Sequence, residues 1–353
     1  DANWSSLRVG VLGLGIAGFA AADALMQLGS QVRIIDSSSS DEVNERANIL
    51  GSLGASVFLN ASELPEESLD LVVTSPGLSP QHPFHKQAEL KGIPIWGELE
   101  LAWRIRAKSG GAPWLCVTGT NGKTTTTLML ESILRSAGLR TEAAGNIGHS
   151  LVGVVMHDEL DVIAVEVGAP QLPFVHTLSP WASVCLNIAS DHIDHFGNFN
   201  RYAQAKARIY ERTQYAAVYN GHEDAILSMV ESADVLEGCR AVGFTRGIPG
   251  LSELGVVDGA LVDRAFIPNR RDYAQELALV SDIHPVGDHN TENALAAAAL
   301  ARAFGVMNAS EDNRISPMAV RDGLRNFNPA PHRNAMVASA GGVTYIDDSK
   351  ATN

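Results

Sequence analysis

The densest chemistry in the sequence is the run Thr118-Gly119-Thr120-Asn121-Gly122-Lys123-Thr124-Thr125. Gly119 and Gly122 let backbone N–H groups turn inward, and successive inward amides surround phosphate oxygens. Lys123 adds a point charge suited to the β and γ phosphates of ATP, and Thr124 adds a hydroxyl suited to Mg²⁺. The commoner form of such a loop carries a further glycine five positions before its Gly-Lys pair. Val117 stands there, which makes this the tighter Gly-x-x-Gly-Lys-Thr form. Residues 119–125 are therefore expected to bind a nucleoside triphosphate, with a strand before them and a helix after.

A second glycine pattern, Gly13-x-Gly15-x-x-Gly18, is followed about twenty residues later by Asp36, the spacing of a dinucleotide fingerprint. Taken alone, it leaves a nicotinamide dinucleotide open as the ligand of the first domain.

Both patterns need strand–turn–helix units to hold them. Residues 8–12 read as a short buried strand, followed by an alanine-rich helix to about Leu28 that Gly29 ends, and then by a strand at 31–35 closing on Asp36. Residues 70–74 form another strand running into Ser75-Pro76-Gly77. After the polar stretch 108–113, residues 114–117 read as a strand and a long helix runs through Leu134 to Gly138. Further strands are expected at 162–167 and 184–188, helices at 202–211 and 291–304, and a last strand at 342–346. Strand, glycine turn and helix in repetition imply an α/β fold with parallel sheets covered on both faces. The expected division is a Rossmann-like domain over 1–105, a central mononucleotide-binding α/β domain over 106–329, and the start of a third, Rossmann-like domain over 330–353. The sequence begins without methionine and stops at Asn353 inside a motif, so a truncated third domain is the expectation.

The bulk properties narrow the function classes. The 353 residues are 45% hydrophobic and 19% charged, enough apolar mass for two cores. A formal charge of −14 argues against a nucleic-acid partner, because phosphate backbones demand clustered Lys and Arg. Cys116, Cys185 and Cys239 are odd in number and form no CxxC, so a reducing, cytoplasmic setting fits. No apolar run is long enough to span a bilayer, and membrane insertion is not expected.

The Gly-Thr-Asn-Gly-Lys-Thr loop and its neighbours resemble the Mur ligase superfamily, whose members join amino acids to cell-wall precursors and whose relatives add glutamate to folates. The resemblance covers nearly the whole chain, and it implies roles for further residues. Asn146, in Gly145-Asn146-Ile147-Gly148, would contact the substrate diphosphate. Glu166, closing a strand, would ligate Mg²⁺ near the γ phosphate. His192, in Asp191-His192-Ile193-Asp194, would bind a second Mg²⁺, with no role carried over to His195. Lys206, in Ala205-Lys206-Ala207-Arg208-Ile209, would be carbamylated and hold that metal as an anion. Asn290 and Asn293, in Gly287-Asp288-His289-Asn290-Thr291-Glu292-Asn293-Ala294, share a helix face and would contact the nucleotide, while also being good helix caps. Arg333 and Asp348 would hold the ATP phosphates and ribose. Gly15-Ile16-Ala17, Asp36 and Ser75-Pro76-Gly77 would bind the UDP part of a nucleotide sugar, together with Gln171.

The terminal Asp348-Ser349-Lys350-Ala351-Thr352-Asn353 is similar to the D-glutamate-adding branch, which would set Lys350 and Thr352 beside D-glutamate. The implied activity is ATP-dependent capture of D-glutamate by UDP-N-acetylmuramoyl-L-alanine through an acyl phosphate. One departure stands out: Gly168-Ala169-Pro170 replaces the branch's usual Ser-Ser-Phe before Gln171-Leu172. Another amide ligase of the superfamily, of folate-glutamate or amidotransferase-partner type, and a catalytically silent nucleotide-binding protein remain the alternatives.

Overall fold

Short strands whose residues are almost all apolar must be covered on both faces, and the chain does this twice. In the computed structural model, which describes residues 3–106, 111–157, 159–191, 193–306, 313–329, 335–341 and 343–347, two parallel-sheet units follow one another. The first comprises β1 (Arg8–Leu12), α1 (Ile16–Gln27), β2 (Gln31–Ile35), α2 (Asp41–Ser52), β3 (Ser56–Phe58), β4 (Leu71–Thr74), α3 (Pro83–Leu90), β5 (Ile95–Gly97) and α4 (Glu98–Arg106). Its strand order is β3-β2-β1-β4-β5, parallel throughout. The order reverses between β1 and β4. The segments after these two strands, Gly13–Ala17 and Ser75–Gly77, therefore face each other across the crevice at the strands' carboxyl ends, where open α/β sheets bind ligands.

The second unit begins with β6 (Trp114–Thr118), α5 (Lys123–Ser136), β7 (Thr141–Gly145), α6 (Leu151–His157), β8 (Val162–Glu166), β9 (Ala182–Cys185), α7 (Ile193–Phe196) and α8 (Phe199–Ala207). It continues with β10 (Ala216–Asn220), α9 (Asp224–Glu231), β11 (Arg240–Phe244), β12 (Glu253–Val257), β13 (Ala260–Asp263), β14 (Gln275–Leu279), α10 (Asp288–Gly305) and α11 (Pro317–Arg325). The nine strands run β14-β13-β12-β11-β10-β9-β6-β8-β7. Those from β12 to β7 are parallel, whereas β13 and β14 add an antiparallel edge. β6 lies between β8 and β9, so the loop leaving it sits at this sheet's own reversal of order. Helix α10 carries alanine at 294, 296–299, 301 and 303, all buried, and packs between α5 and the strands β9 to β11. Its methyl groups let neighbouring backbones approach closely. Beyond it, β15 (Ala335–Ala340) and β16 (Val343–Asp347) form an antiparallel hairpin.

Several boundaries differ from the sequence reading. The strand expected at 184–188 ends at Cys185, because Asn187 turns its amide onto the Asn121 backbone instead of continuing the ladder. The helix expected from Tyr202 starts earlier, at Phe199, where Asn198 Oδ1 accepts from the Arg201 amide, and gives way to a single 3-10 turn at Arg208–Tyr210. The helix expected from Thr291 starts at Asp288 behind Gly287, so neither Asn290 nor Asn293 caps it. All three cysteines are free. Among the described residues no helix is long and apolar enough to cross a membrane.

Candidate active site

The loop between β6 and α5 is anchored from below by the Thr118 hydroxyl, which donates to Val167 O at 2.8 Å. Its apex is held by Asn187. The Asn121 amide donates to Asn187 Oδ1 at 2.8 Å, Asn187 Nδ2 returns a bond to Asn121 O at 3.2 Å, and the Thr120 amide donates to Asn187 O. Lys123, the first residue of α5, directs its ammonium back over the loop to Gly119 O at 2.9 Å and Thr120 O at 2.8 Å. Gly122 is required twice over: its φ is +82°, and a Cβ there would lie 2.3 Å from Asn293 Oδ1. The loop is thus bounded by a helix N-terminus and an ammonium, a setting built for phosphate. Thr125 follows in the first turn of α5, half-buried.

Asn293 reaches this loop because α10 starts beside it. The Thr126 hydroxyl donates to Asn293 Oδ1 at 3.2 Å, Asn293 Nδ2 donates to Asn290 Oδ1 at 3.2 Å, and Asn290 Nδ2 donates to Pro285 O at 2.9 Å. The two asparagines form one chain pointing inward.

Glu166, at the end of β8 and only 2% exposed, receives two donors. Thr124 Oγ1 lies 2.8 Å from its Oε2, and Asn146 Nδ2 lies 3.0 Å from its Oε1. A hydroxyl and a carboxylate side by side offer the hard oxygen donors that Mg²⁺ takes. Lys206, on α8, is 1% exposed, with its ammonium 5.1 Å from the centre of the Tyr202 ring. Burial pushes its pKa down to about 8. Tyr202 ties α8 to the phosphate loop, its hydroxyl 2.9 Å from Thr120 Oγ1. His195, which carried no expected role, packs edge-on against Phe196.

Next to this lies a cleft of about 470 Å³. It brings together Gly15, Ile16, Ala17 and Asp36 from the β1–α1–β2 unit, Ser75, Pro76 and Gly77 from the end of β4, and Asn146 and Gln171 from the second unit. Asp36 Oδ2 accepts the Leu14 amide at 2.7 Å, and the Ser75 hydroxyl donates to Gly13 O at 2.7 Å, so the glycine loop is held by its own motif's Asp36 on one side and by the end of β4 on the other. Gly168 leaves room for both amides of the far wall. A Cβ there would stand 3.1 Å from Asn146 Oδ1 and 3.3 Å from Gln171 Oε1, and its own N–H donates to Gln171 Oε1 at 2.8 Å. Asn146 belongs to both places: it lines the cleft and it binds Glu166. A ligand in the cleft and a nucleotide on the loop would therefore meet at one asparagine.

Three residues at the site escaped the sequence reading. Asn187 sits inside an apolar stretch read as strand. Tyr202 was read only as a helix start. Glu98, which lines the cleft, follows a glycine at a strand–helix junction, where surface charge is ordinary. His192, Arg333, Asp348, Lys350 and Thr352 lie outside the described residues.

Comparison with known proteins gives two family matches: residues 7–97 match the Mur ligase MurD-like N-terminal domain, and residues 117–301 match the Mur ligase middle domain. The chain is 51% identical to the UDP-N-acetylmuramoylalanine--D-glutamate ligase of Streptomyces avermitilis over 99% of its own length and 73% of that protein's. It is 50% identical to the protein of the same name from Streptomyces coelicolor, over 99% and 73%. Among solved structures, the UDP-N-acetylmuramate:L-alanyl-gamma-D-glutamyl-meso-diaminopimelate ligase of Neisseria meningitides aligns with a TM-score of 0.59 at 18% identity, over 92% of this chain and 99% of that one. MurF from Acinetobacter baumannii aligns at 0.58 and 19% identity, over 97% and 67%. At these identities the two structures speak for the fold.

Proposed function

The chain belongs to the Mur ligase family, and on that premise we propose that it adds D-glutamate to UDP-N-acetylmuramoyl-L-alanine in an ATP-dependent step of peptidoglycan precursor synthesis. The observation that carries the reading is the chain of contacts Thr124–Glu166–Asn146, which joins a triphosphate loop to a cleft built from a Rossmann-like sheet. The named relatives supply the substrate identities. They also favour a uridine nucleotide over a nicotinamide dinucleotide at Gly13-x-Gly15-x-x-Gly18.

The reaction has two steps. The terminal carboxylate of the nucleotide sugar attacks the γ phosphorus of ATP, and ADP leaves. The D-glutamate amine then attacks the acyl carbon, phosphate departs, and the nitrogen gives up a proton. Lys123 and the amides of residues 119–125 bind the β and γ phosphates and neutralise charge on the phosphoryl group in flight. Asn290 and Asn293 border the same loop and are assigned to the nucleotide, as are Arg333 and Asp348. Gly15, Ile16, Ala17, Asp36, Ser75, Pro76, Gly77, Asn146 and Gln171 are assigned to the nucleotide sugar, and Lys350 and Thr352 to D-glutamate.

Mg²⁺, when bound, lets two anions approach one another by neutralising their charge. Thr124, Glu166, His192 and a carbamylated Lys206 are the residues we assign to holding it. Lys206 is suited to that modification. With a pKa of about 8, roughly one amine in ten is neutral at pH 7. A neutral amine adds to carbon dioxide and loses a proton, turning a buried cation into an anion. A cytoplasmic place of action fits the use of ATP and the three free thiols.

The test is phosphate release by the full-length gene product with ATP, Mg²⁺ and UDP-N-acetylmuramoyl-L-alanine, offered D- or L-glutamate. Release that depends on the D-enantiomer supports the assignment. Release with L-glutamate alone, or none with either, rejects it.

A further inference from the structure

Glu98 is the first residue of α4, the last helix of the Rossmann-like unit, yet both hydrogen bonds of its Oε1 go to the central unit: the Ser150 hydroxyl donates at 2.8 Å and the Leu151 amide at 3.0 Å. It is 4% exposed and lines the cleft together with Ser150 and Asn146. Ser150 ends the turn that begins at Gly145, and Leu151 opens α6. That turn contains two glycines with left-handed backbone, Gly145 at φ +100° and Gly148 at φ +104°, and is closed on itself by one bond, from the Gly145 amide to His149 O at 2.9 Å, so its placement depends on what holds its two ends. Its near end is pinned to β8, where the Asn146 amide donates to Glu166 O at 2.9 Å and the side chain reaches Glu166 Oε1. Its far end is pinned by Glu98.

We propose that Glu98 is a positioning residue for the nucleotide sugar: by gripping Ser150 and Leu151 from the opposite lobe, it sets where the Gly145–Ser150 turn, and hence Asn146, stands in the cleft. The inference rests on the cleft being the nucleotide-sugar site. Glu98 needs to accept hydrogen bonds and has no need of charge. Burial pushes its carboxyl above the usual range against the pull of Ser150 and Leu151.

The experiment compares Glu98→Ala, Glu98→Gln and Ser150→Ala in the full-length enzyme. It reads the Kd for UDP-N-acetylmuramoyl-L-alanine by calorimetry, KM for both substrates, kcat, and thermal midpoint. Glu98→Ala is expected to weaken nucleotide-sugar binding about ten-fold, the equivalent of one hydrogen-bond anchor, with KM for ATP and kcat within about two-fold. Glu98→Gln keeps the accepting oxygen and should stay within about three-fold of wild type. Ser150→Ala removes one of the two donors and should weaken binding in the same direction by less. The inference is overturned by an unchanged Kd in Ser150→Ala, by a glutamine variant as weak as the alanine variant, or by equal rises in KM for sugar and ATP. Should Glu98→Ala fail to fold, the other two variants decide. Wild-type enzyme that binds the nucleotide sugar but turns nothing over would sink the ligase reading while leaving this affinity comparison intact.

Discussion

Thr124 Oγ1 donates to Glu166 Oε2 across 2.8 Å, joining the first turn of α5 to the end of β8. Two residues 42 positions apart in sequence thereby form one oxygen-rich corner at the helix start that Lys123 opens. Replacing Lys123 by alanine should lower kcat for phosphate release by about 10²–10³, roughly 3–4 kcal/mol, the cost of losing one oyanion-type donor. Thr124→Ala should act differently, raising the Mg²⁺ concentration needed for half-maximal rate. Steady-state kinetics with Mg²⁺ titrations distinguish the two, and normal turnover in Lys123→Ala would rule out the assigned phosphate contact.

Lys206 gives a prediction about carbon dioxide and another about stability. Activity should fall in carbon-dioxide-free buffer and return on re-equilibration with carbon dioxide, and at fixed dissolved carbon dioxide recovery should quicken as pH rises toward about 8, where the amine loses its proton. The sign of the stability effect follows from the lowered pKa. Between about 8 and the ordinary 10.5, the unfolded chain holds a proton that the folded chain lacks, so stability climbs with pH across that window. Below it the fold carries the full cost of a buried ammonium. Denaturation of the unmodified enzyme should show the climb, and Lys206→Met should lack it and be the more stable protein near pH 7.

Glu100 should give a rise of stability with pH of the same sign, at the acid end of the scale. It is fully buried and accepts the His176 amide at 2.8 Å, the Thr177 amide at 2.8 Å, the Thr177 hydroxyl at 2.6 Å and Arg104 Nε at 2.7 Å. Burial alone would raise its pKa, but these donors outweigh burial and hold the carboxyl below its ordinary 4.5. Its contribution is therefore complete above pH 4.5 and is lost as pH falls through the lower folded value. Glu100→Ala strands several donors and should cost about 3 kcal/mol by chemical denaturation. Glu100→Gln should flatten the acid side of the stability profile.

Gly168→Ser tests the far wall of the cleft. A side chain there meets Asn146 Oδ1 at 3.1 Å and Gln171 Oε1 at 3.3 Å, so one of these amides must give way. Overpacking of this order costs about 1–3 kcal/mol. KM for the nucleotide sugar should rise several-fold while KM for ATP holds. An unchanged sugar KM would mean that neither amide touches the ligand.

What the sequence disclosed follows the range of the interactions involved. The phosphate loop was legible because its glycines, lysine and threonine act within one turn of chain. The alternation of strands and helices was legible for the same reason. Glu98 and Asn187 were not, because their partners lie 52 and 66 positions away and neither residue type is unusual where it stands. The antiparallel edge β12–β13–β14 was missed although a local signal was present. Asp258-Gly259, with φ of +48° and +77°, is the two-residue hairpin turn that such a pair favours. Asn290 and Asn293 were placed on a shared face but a turn too early, since a glycine rather than an asparagine begins the helix.

Helix α10 has little tolerance for drift. Its alanines are enclosed on every side, and its first turns press Asn293 against Gly122. A branched side chain introduced midway along this rod has nowhere to go except by levering the rod itself. The shift would then surface at the triphosphate loop, far from the altered position. Weakened nucleotide affinity from substitutions that touch no ligand should therefore concentrate along residues 294–303.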